Sequence, residues 1–137
     1  MQLTLERDVA ELDRIVAATR AYFLEADIPG SLAPTVDLAT EELFVNIVVH
    51  GGSGSDKIRL EMQATDDGVA VTLTDPGGRP FDPRDLPDVD MNAPIEQREP
   101  GGLGIHLVKQ LVSELNYEYC NGTGTVSFRA TAREHHV

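Results

Sequence analysis

Polar and apolar residues alternate from Gln2 to Leu5, a period of two that predicts a short first strand. From Asp8 the period changes. Val9, Leu12, Ile15, Val16, Phe23 and Leu24 fall at helical spacing, Asp8 is placed to cap the start, and Pro29-Gly30 marks the end. A second helix carries Val36, Leu38, Ala39, Leu43, Phe44, Ile47 and Val48, with Ser31 or Thr35 as its cap. Gly51-Gly52-Ser53-Gly54-Ser55 stops it and reads as a loop, too short for a domain linker.

Ile58, Leu60 and Met62 alternate with Arg59, Glu61 and Gln63, which predicts a strand with one wet face. Asp66-Asp67-Gly68 is a hairpin signal, and Val69, Val71 and Leu73 return in a second strand that runs into Asp75. Between Pro80 and Pro100 there are five prolines, many charges and no sustained period. About twenty residues without regular structure inside a compact domain mark a lid or binding loop. After Gly104, the residues Ile105, Leu107, Val108, Leu111, Val112 and Leu115 predict a third helix. Tyr117 to Cys120 and Thr125 to Thr131 read as closing strands around an Asn121-Gly122 turn. Grouped hairpins, rather than alternating strand-helix units, favour a mostly antiparallel sheet with helices on one face, built as one domain over residues 1–137.

Composition narrows the chemistry more than the fold. A hydrophobic content of 41% and a charged content of 25% are ordinary for a globular chain. The charge balance is not ordinary: Asp and Glu outnumber Lys and Arg by 23 to 11, for a formal net charge of -12. That argues against direct nucleic-acid binding and against an anionic membrane surface. It permits a basic protein partner, or a nucleotide that arrives with a divalent cation. The single Cys120 cannot form an intrachain disulfide, and one Cys with four scattered His makes no zinc spacing. With no apolar signal-peptide core after Met1 and no apolar run of the ~20 residues that a span requires, the expectation is a cytoplasmic protein.

Three blocks carry candidate chemistry. Glu42, Asn46 and His50 recur every four residues and so share one helix face. A carboxylate there can polarise a hydroxyl, and an amide oxygen is a hard ligand suited to Mg²⁺. Taken alone, this face reads first as a wet helix surface. Asp75 closes a strand just before Pro76-Gly77-Gly78, where a base could hydrogen-bond to it; alone it is also an ordinary turn. Gly101-Gly102-Leu103-Gly104 leads into a helix, so backbone N–H groups and the helix dipole can face phosphate. It carries no Gly-Lys-Ser/Thr and is not a P-loop, nor does it match a dinucleotide fingerprint. Arg98, just upstream, has a head group suited to a terminal phosphate or to solvent.

In this order and spacing, Glu-x-x-x-Asn-x-x-x-His-Gly, Phe81-Asp82-Pro83 and Gly-Gly-Leu-Gly-Ile resemble the ATPase superfamily of gyrase, heat-shock chaperones, histidine kinases and mismatch-repair proteins. Within it the chain looks like the small anti-sigma factor serine kinases, over nearly its whole length. The resemblance implies an α/β sandwich of the histidine-kinase-like ATPase fold that binds ATP with Mg²⁺ under a mobile lid. It implies Glu42 as general base, Asn46 as Mg²⁺ ligand, and Asp75 with Gly77 at the adenine. His50, Phe81 and Arg98 flank that pocket. Gly101, Gly102, Leu103, Gly104 and Ile105 form the phosphate-binding turn, and Thr125, or else Thr123, helps hold the pocket. Where many members read Asp-x-Gly-x-Gly, this chain has Arg79 in place of the last glycine. The implied partners are an anti-anti-sigma protein of STAS type, which is phosphorylated on serine, and a sigma factor. A homodimer is implied too, with the first-helix face as the candidate interface. The alternative is a non-catalytic module whose partner affinity nucleotide sets.

Overall fold

A computed structural model describes residues 1–51, 56–77, 79–85 and 102–132. Strand β1 (Gln2–Leu5) leads through a 3₁₀ turn into helix α1 (Leu12–Glu25), followed by helix α2 (Ala33–His50). The hairpin β2 (Ile58–Thr65) and β3 (Gly68–Pro76) comes next. Helix α3 (Gly102–Leu111) and a second hairpin, β4 (Ser113–Cys120) and β5 (Thr123–Thr131), complete the order. The five strands form one sheet in the order β1-β2-β3-β5-β4, and every neighbouring pair is antiparallel. The sheet is thus wholly antiparallel, in an α+β architecture.

Period-two alternation decides which face of the sheet is dry. Val69, Val71, Leu73 and Asp75 on β3, and Gly124, Val126, Phe128 and Ala130 on β5, are buried, while the residues between them are partly exposed. The dry face joins Phe23 of α1, Val36, Leu43 and Phe44 of α2, and Ile105 and Val108 of α3 in one apolar core. Burying each large side chain of this kind stabilises the fold by ~1.5–3 kcal/mol. Helix α2 lies across β3 and β5 and also packs on α3. It is apolar around much of its circumference for that reason; Glu42, Asn46 and His50 lie toward α3 and the end of β3, while Asp37 pairs with Arg20 of α1.

Several local expectations are corrected. Neither Ser31 nor Thr35 caps α2: a 3₁₀ turn over Gly30–Leu32 runs straight into the helix, Leu32 is already helical at φ -84° and ψ -13°, and Thr35 is buried inside it. Pro34 in the first turn needs no N–H partner, which makes such an uncapped entry tolerable. Asp8 does cap, but it caps the 3₁₀ turn, accepting from the Ala10 N–H at 2.8 Å. Leu24, expected on the apolar stripe of α1, is 85% exposed. Helix α3 starts at Gly102, so Gly102, Leu103 and Gly104 are its first turn rather than a loop before it. Leu115 belongs to β4, which starts at Ser113 and takes an irregular register between Ser113 and Asn116, with Glu114 at φ +55°.

Candidate functional site

The polar seam starts on α2. Asn46 is 4% exposed, and its Nδ2 has no hydrogen-bond partner among the described residues. A buried amide left unpaired costs ~1–3 kcal/mol, and such a group calls for an explanation. One turn earlier, Glu42 lies against the bare Cα of Gly104 on α3; a Cβ added there would sit 2.1 Å from the Glu42 carboxyl carbon. Partial burial, and secondarily the charge of Glu41, raise the Glu42 carboxyl above its ordinary value. One turn later, the His50 ring stacks on Phe81, with centroids 4.6 Å apart and planes 12° from parallel. Arg79 holds the same helix end by donating from Nε to the His50 carbonyl at 3.1 Å.

Asp75, at the end of β3, is 6% exposed. Its Oδ1 accepts from Nη2 of Arg7, which also donates to the Pro76 carbonyl at 2.8 Å, while Arg7 Nε donates to the Asp56 carbonyl at 2.8 Å. The second carboxylate oxygen, Oδ2, lies toward Gly51, where an added Cβ would approach it to 2.7 Å and the Ile47 carbonyl to 2.5 Å. The bare backbone at Gly51 therefore keeps that oxygen accessible. Gly77 adopts φ +73°, the left-handed region glycine favours, and its N–H donates to the Gly122 carbonyl at 3.0 Å.

Between α2 and the neighbouring strands β3 and β5 opens a small cleft. Leu43, Ile47, Leu73 and Val126 give it apolar walls; Asn46 and Asp75 supply its buried polar groups. Phe81, Pro83, Arg79 and Tyr117 close one side. Phe81 is fixed there because its N–H donates to the Tyr117 hydroxyl at 3.0 Å. Asp82 beside it is held below the ordinary carboxylate value, chiefly by the Arg84 side-chain hydrogen bond.

Of the residues expected from sequence, Asn46, Asp75 and Phe81 line this cavity, His50 stacks on its rim through Phe81, and Glu42 stands one turn away at α3. Gly77 follows Asp75 at the strand end. Gly102, Leu103 and Gly104 form the first turn of α3. Ile105 is 1% exposed and packs in the core. Thr125 pairs with Thr74, not with Asp75, so it stands on the opposite sheet face from the cavity. Arg98 and Gly101 lie outside the described residues. Sequence reasoning missed Arg7, Gly51, Tyr117 and Gly124. For Tyr117 the signal was its place in an alternating strand, in phase with Leu115. Arg7 gave none, because its partner lies 68 residues away.

Among the described residues no group of three or more His, Cys, Asp and Glu side chains is arranged to hold a metal ion. No helix among them is long and apolar enough to cross a membrane.

The chain matches the family model of the histidine kinase-like ATPase domain over residues 5–129. Among solved structures it is similar to the RsbU and RsbW domains of Rv1364c from Mycobacterium tuberculosis, with 20% identity and a TM-score of 0.66. That match covers 96% of this chain and 32% of the other, so this chain spans about a third of its structural neighbour. No curated protein sequence matches.

Proposed function

This chain belongs to the family of histidine kinase-like ATPase domains, and from that premise we propose that it is an ATP-binding anti-sigma regulator with serine protein kinase activity. The observation that carries the proposal is one cavity that holds both a buried carboxylate, Asp75, and a buried amide with an unpaired nitrogen, Asn46. Asp75 Oδ2 is an acceptor for the amino group of adenine. An amide's two ends exchange by a flip of the side chain, so Asn46 offers oxygen to a cation as readily as nitrogen to an acceptor. Mg²⁺ with one protein ligand fits the absence of an acidic cluster among the described residues, since it is commonly held by few protein oxygens together with phosphates and water. Bound there, it supplies charge neutralisation for the phosphates.

In this reading Glu42 accepts the proton of a partner serine as the serine oxygen bonds to the γ-phosphorus. The bond from that phosphorus to the bridging oxygen breaks, and ADP departs with the electron pair. A raised carboxyl pKa suits a base, because it strengthens the proton affinity of the ionised group. In the same reading the first turn of α3, with Gly102 and Gly104, offers phosphate the backbone N–H groups that a helix start leaves without intrahelical partners. Arg98, Gly101 and Leu103 belong to the same phosphate-side reading, whereas Thr125 stands on the sheet face opposite the cavity. The serine is on an anti-anti-sigma protein of STAS type, and a sigma factor is the second partner; the RsbW domain of the structural neighbour supports this choice. A homodimer through α1 accounts for Leu24 and Val16 being exposed there.

The test is calorimetric titration of Mg²⁺-ATP into the wild type, Asp75→Asn and Asn46→Ala, followed by transfer of labelled γ-phosphate to a STAS-type protein. The proposal requires binding by the wild type, loss of it in both variants, and transfer that Glu42→Ala abolishes. Binding without transfer under single-turnover conditions would leave a nucleotide-dependent binding module instead.

A further inference from the structure

Asp75 and Gly124 are direct cross-strand partners on the buried face of the sheet. Side chains at such a pair stand ~4.5–5.5 Å apart, so a residue at position 124 would project beside the Asp75 carboxylate. Glycine leaves that space open, and the Tyr117 ring borders it. Tyr117 opposes Val126 in the register of β4 and β5, which makes Gly124 its diagonal neighbour on the same face. Its hydroxyl comes within 3.2 Å of where a Gly124 Cβ would stand. The phenol oxygen thereby reaches the cavity wall next to Asp75.

The bonding of both groups is half spent. Asp75 uses Oδ1 on Arg7 and keeps Oδ2 toward the cavity. The Tyr117 oxygen accepts from the Phe81 N–H at 3.0 Å, and no hydrogen bond among the described residues uses its phenolic proton. The lining of one cleft therefore carries an acceptor and a donor on the same sheet face. A purine edge carrying an exocyclic amino group next to an unprotonated ring nitrogen is the complement of that pair: adenine offers it at the 6-amino group and N1, and a 6-oxo purine inverts both positions.

Resting on the nucleotide-site reading above, we infer that Tyr117 is a specificity-determining residue of this pocket, its hydroxyl donating to N1 of adenine while Asp75 accepts from the amino group. The phenol then touches base and rim together, because the same oxygen holds Phe81, whose ring stacks on His50.

A double cycle tests it. Dissociation constants are measured by calorimetry for ATP and for 1-deaza-ATP, in which carbon replaces N1, with wild type and Tyr117→Phe. The ring is kept, so packing against Val126 is kept. The expected result is about tenfold weaker ATP binding in Tyr117→Phe, in line with one lost hydrogen bond. The wild type should show a similar loss for 1-deaza-ATP, and Tyr117→Phe should add no further loss with that analogue. If the hydroxyl acts only by holding Phe81, the variant will weaken both ligands equally, and the inference fails. It fails too if ATP binds both proteins alike. Folded wild type that binds neither ligand would overturn the nucleotide site itself, an outcome distinct from either.

Discussion

Glu42 on α2 rests its carboxyl group in the space that a side chain at position 104 on α3 would occupy: an alanine Cβ there would lie 2.1 Å from its carboxyl carbon and 2.5 Å from Oε1. The obstructed atoms are the far end of a flexible side chain, not backbone. Gly104→Ala should therefore displace Glu42 rather than unfold α3. Helix propensity works in the variant's favour by ~0.5–1 kcal/mol. The expected outcome is an unchanged or slightly raised Tm, with phosphotransfer reduced tenfold or more. A large loss of Tm in calorimetry, or full activity, would show that the contact does not position Glu42.

The same carboxyl gives stability a pH dependence. Burial, and after it Glu41, raise its pKa above the ordinary 4.5, so the native state binds this proton more tightly than the unfolded chain does. The resulting stabilisation is complete below pH 4.5 and is lost as pH rises through the native value. At neutral pH the ionised group opposes folding. Glu42→Gln should raise Tm at neutral pH, and the gain should vanish below pH 4.5. A Tm difference that is flat across this range would exclude the effect.

Asp82 has the opposite sign. The Arg84 side chain holds it below its ordinary 3.8, against a smaller opposing contribution from burial. Its stabilising effect is present above pH 3.8 and is lost as pH falls through the lower native value. The Arg84 N–H also donates to Asp82 Oδ1 at 2.9 Å, and the Asp85 N–H to the Asp82 carbonyl at 3.0 Å. Asp82→Ala should therefore speed hydrogen exchange at the Arg84 amide while leaving β3 amides unchanged. Equal exchange at Arg84 in both proteins would mean that the side chain does not hold this turn.

How far the sequence could be read follows from the range of the interactions. Alternation in Ile58–Met62 and Val69–Leu73 reports which face is dry, and that is a local property; the hairpin and its register followed from it. Glu42, Asn46 and Asp75 were legible because their spacing sets a helix face and a strand end. The start of α3 was not, because glycine lowers local helix propensity and packing against α2 overrides it. Leu115 continues the apolar spacing of α3 by coincidence, although the helix ends at Leu111 and β4, with its irregular backbone at Glu114, starts at Ser113. Leu24 has helical spacing yet faces out, since a stripe wider than the core it meets leaves its edge exposed. Arg7 and Tyr117 act through partners brought together by the sheet, which no window along the chain contains.

The Arg7–Asp75 pair is where that long-range information has the largest energetic consequence. The two side chains are 11% and 9% exposed, and Arg7 joins the end of β1 to the end of β3 and to Asp56. Removing one member of a buried pair strands the other and typically costs ~3–5 kcal/mol, whereas removing both costs much less. Arg7→Met should thus destabilise by about 3 kcal/mol, and Asp75→Asn added to it should restore at least ~1 kcal/mol relative to the sum of the single changes. Urea titrations of the four proteins measure this, provided the slopes agree. Strict additivity would mean that the pair contributes no coupling and that Arg7 acts only through the carbonyls of Asp56 and Pro76. Coupling in stability, with ATP affinity falling in Arg7→Met as well, would make Arg7 the residue that orients Asp75 toward the cavity.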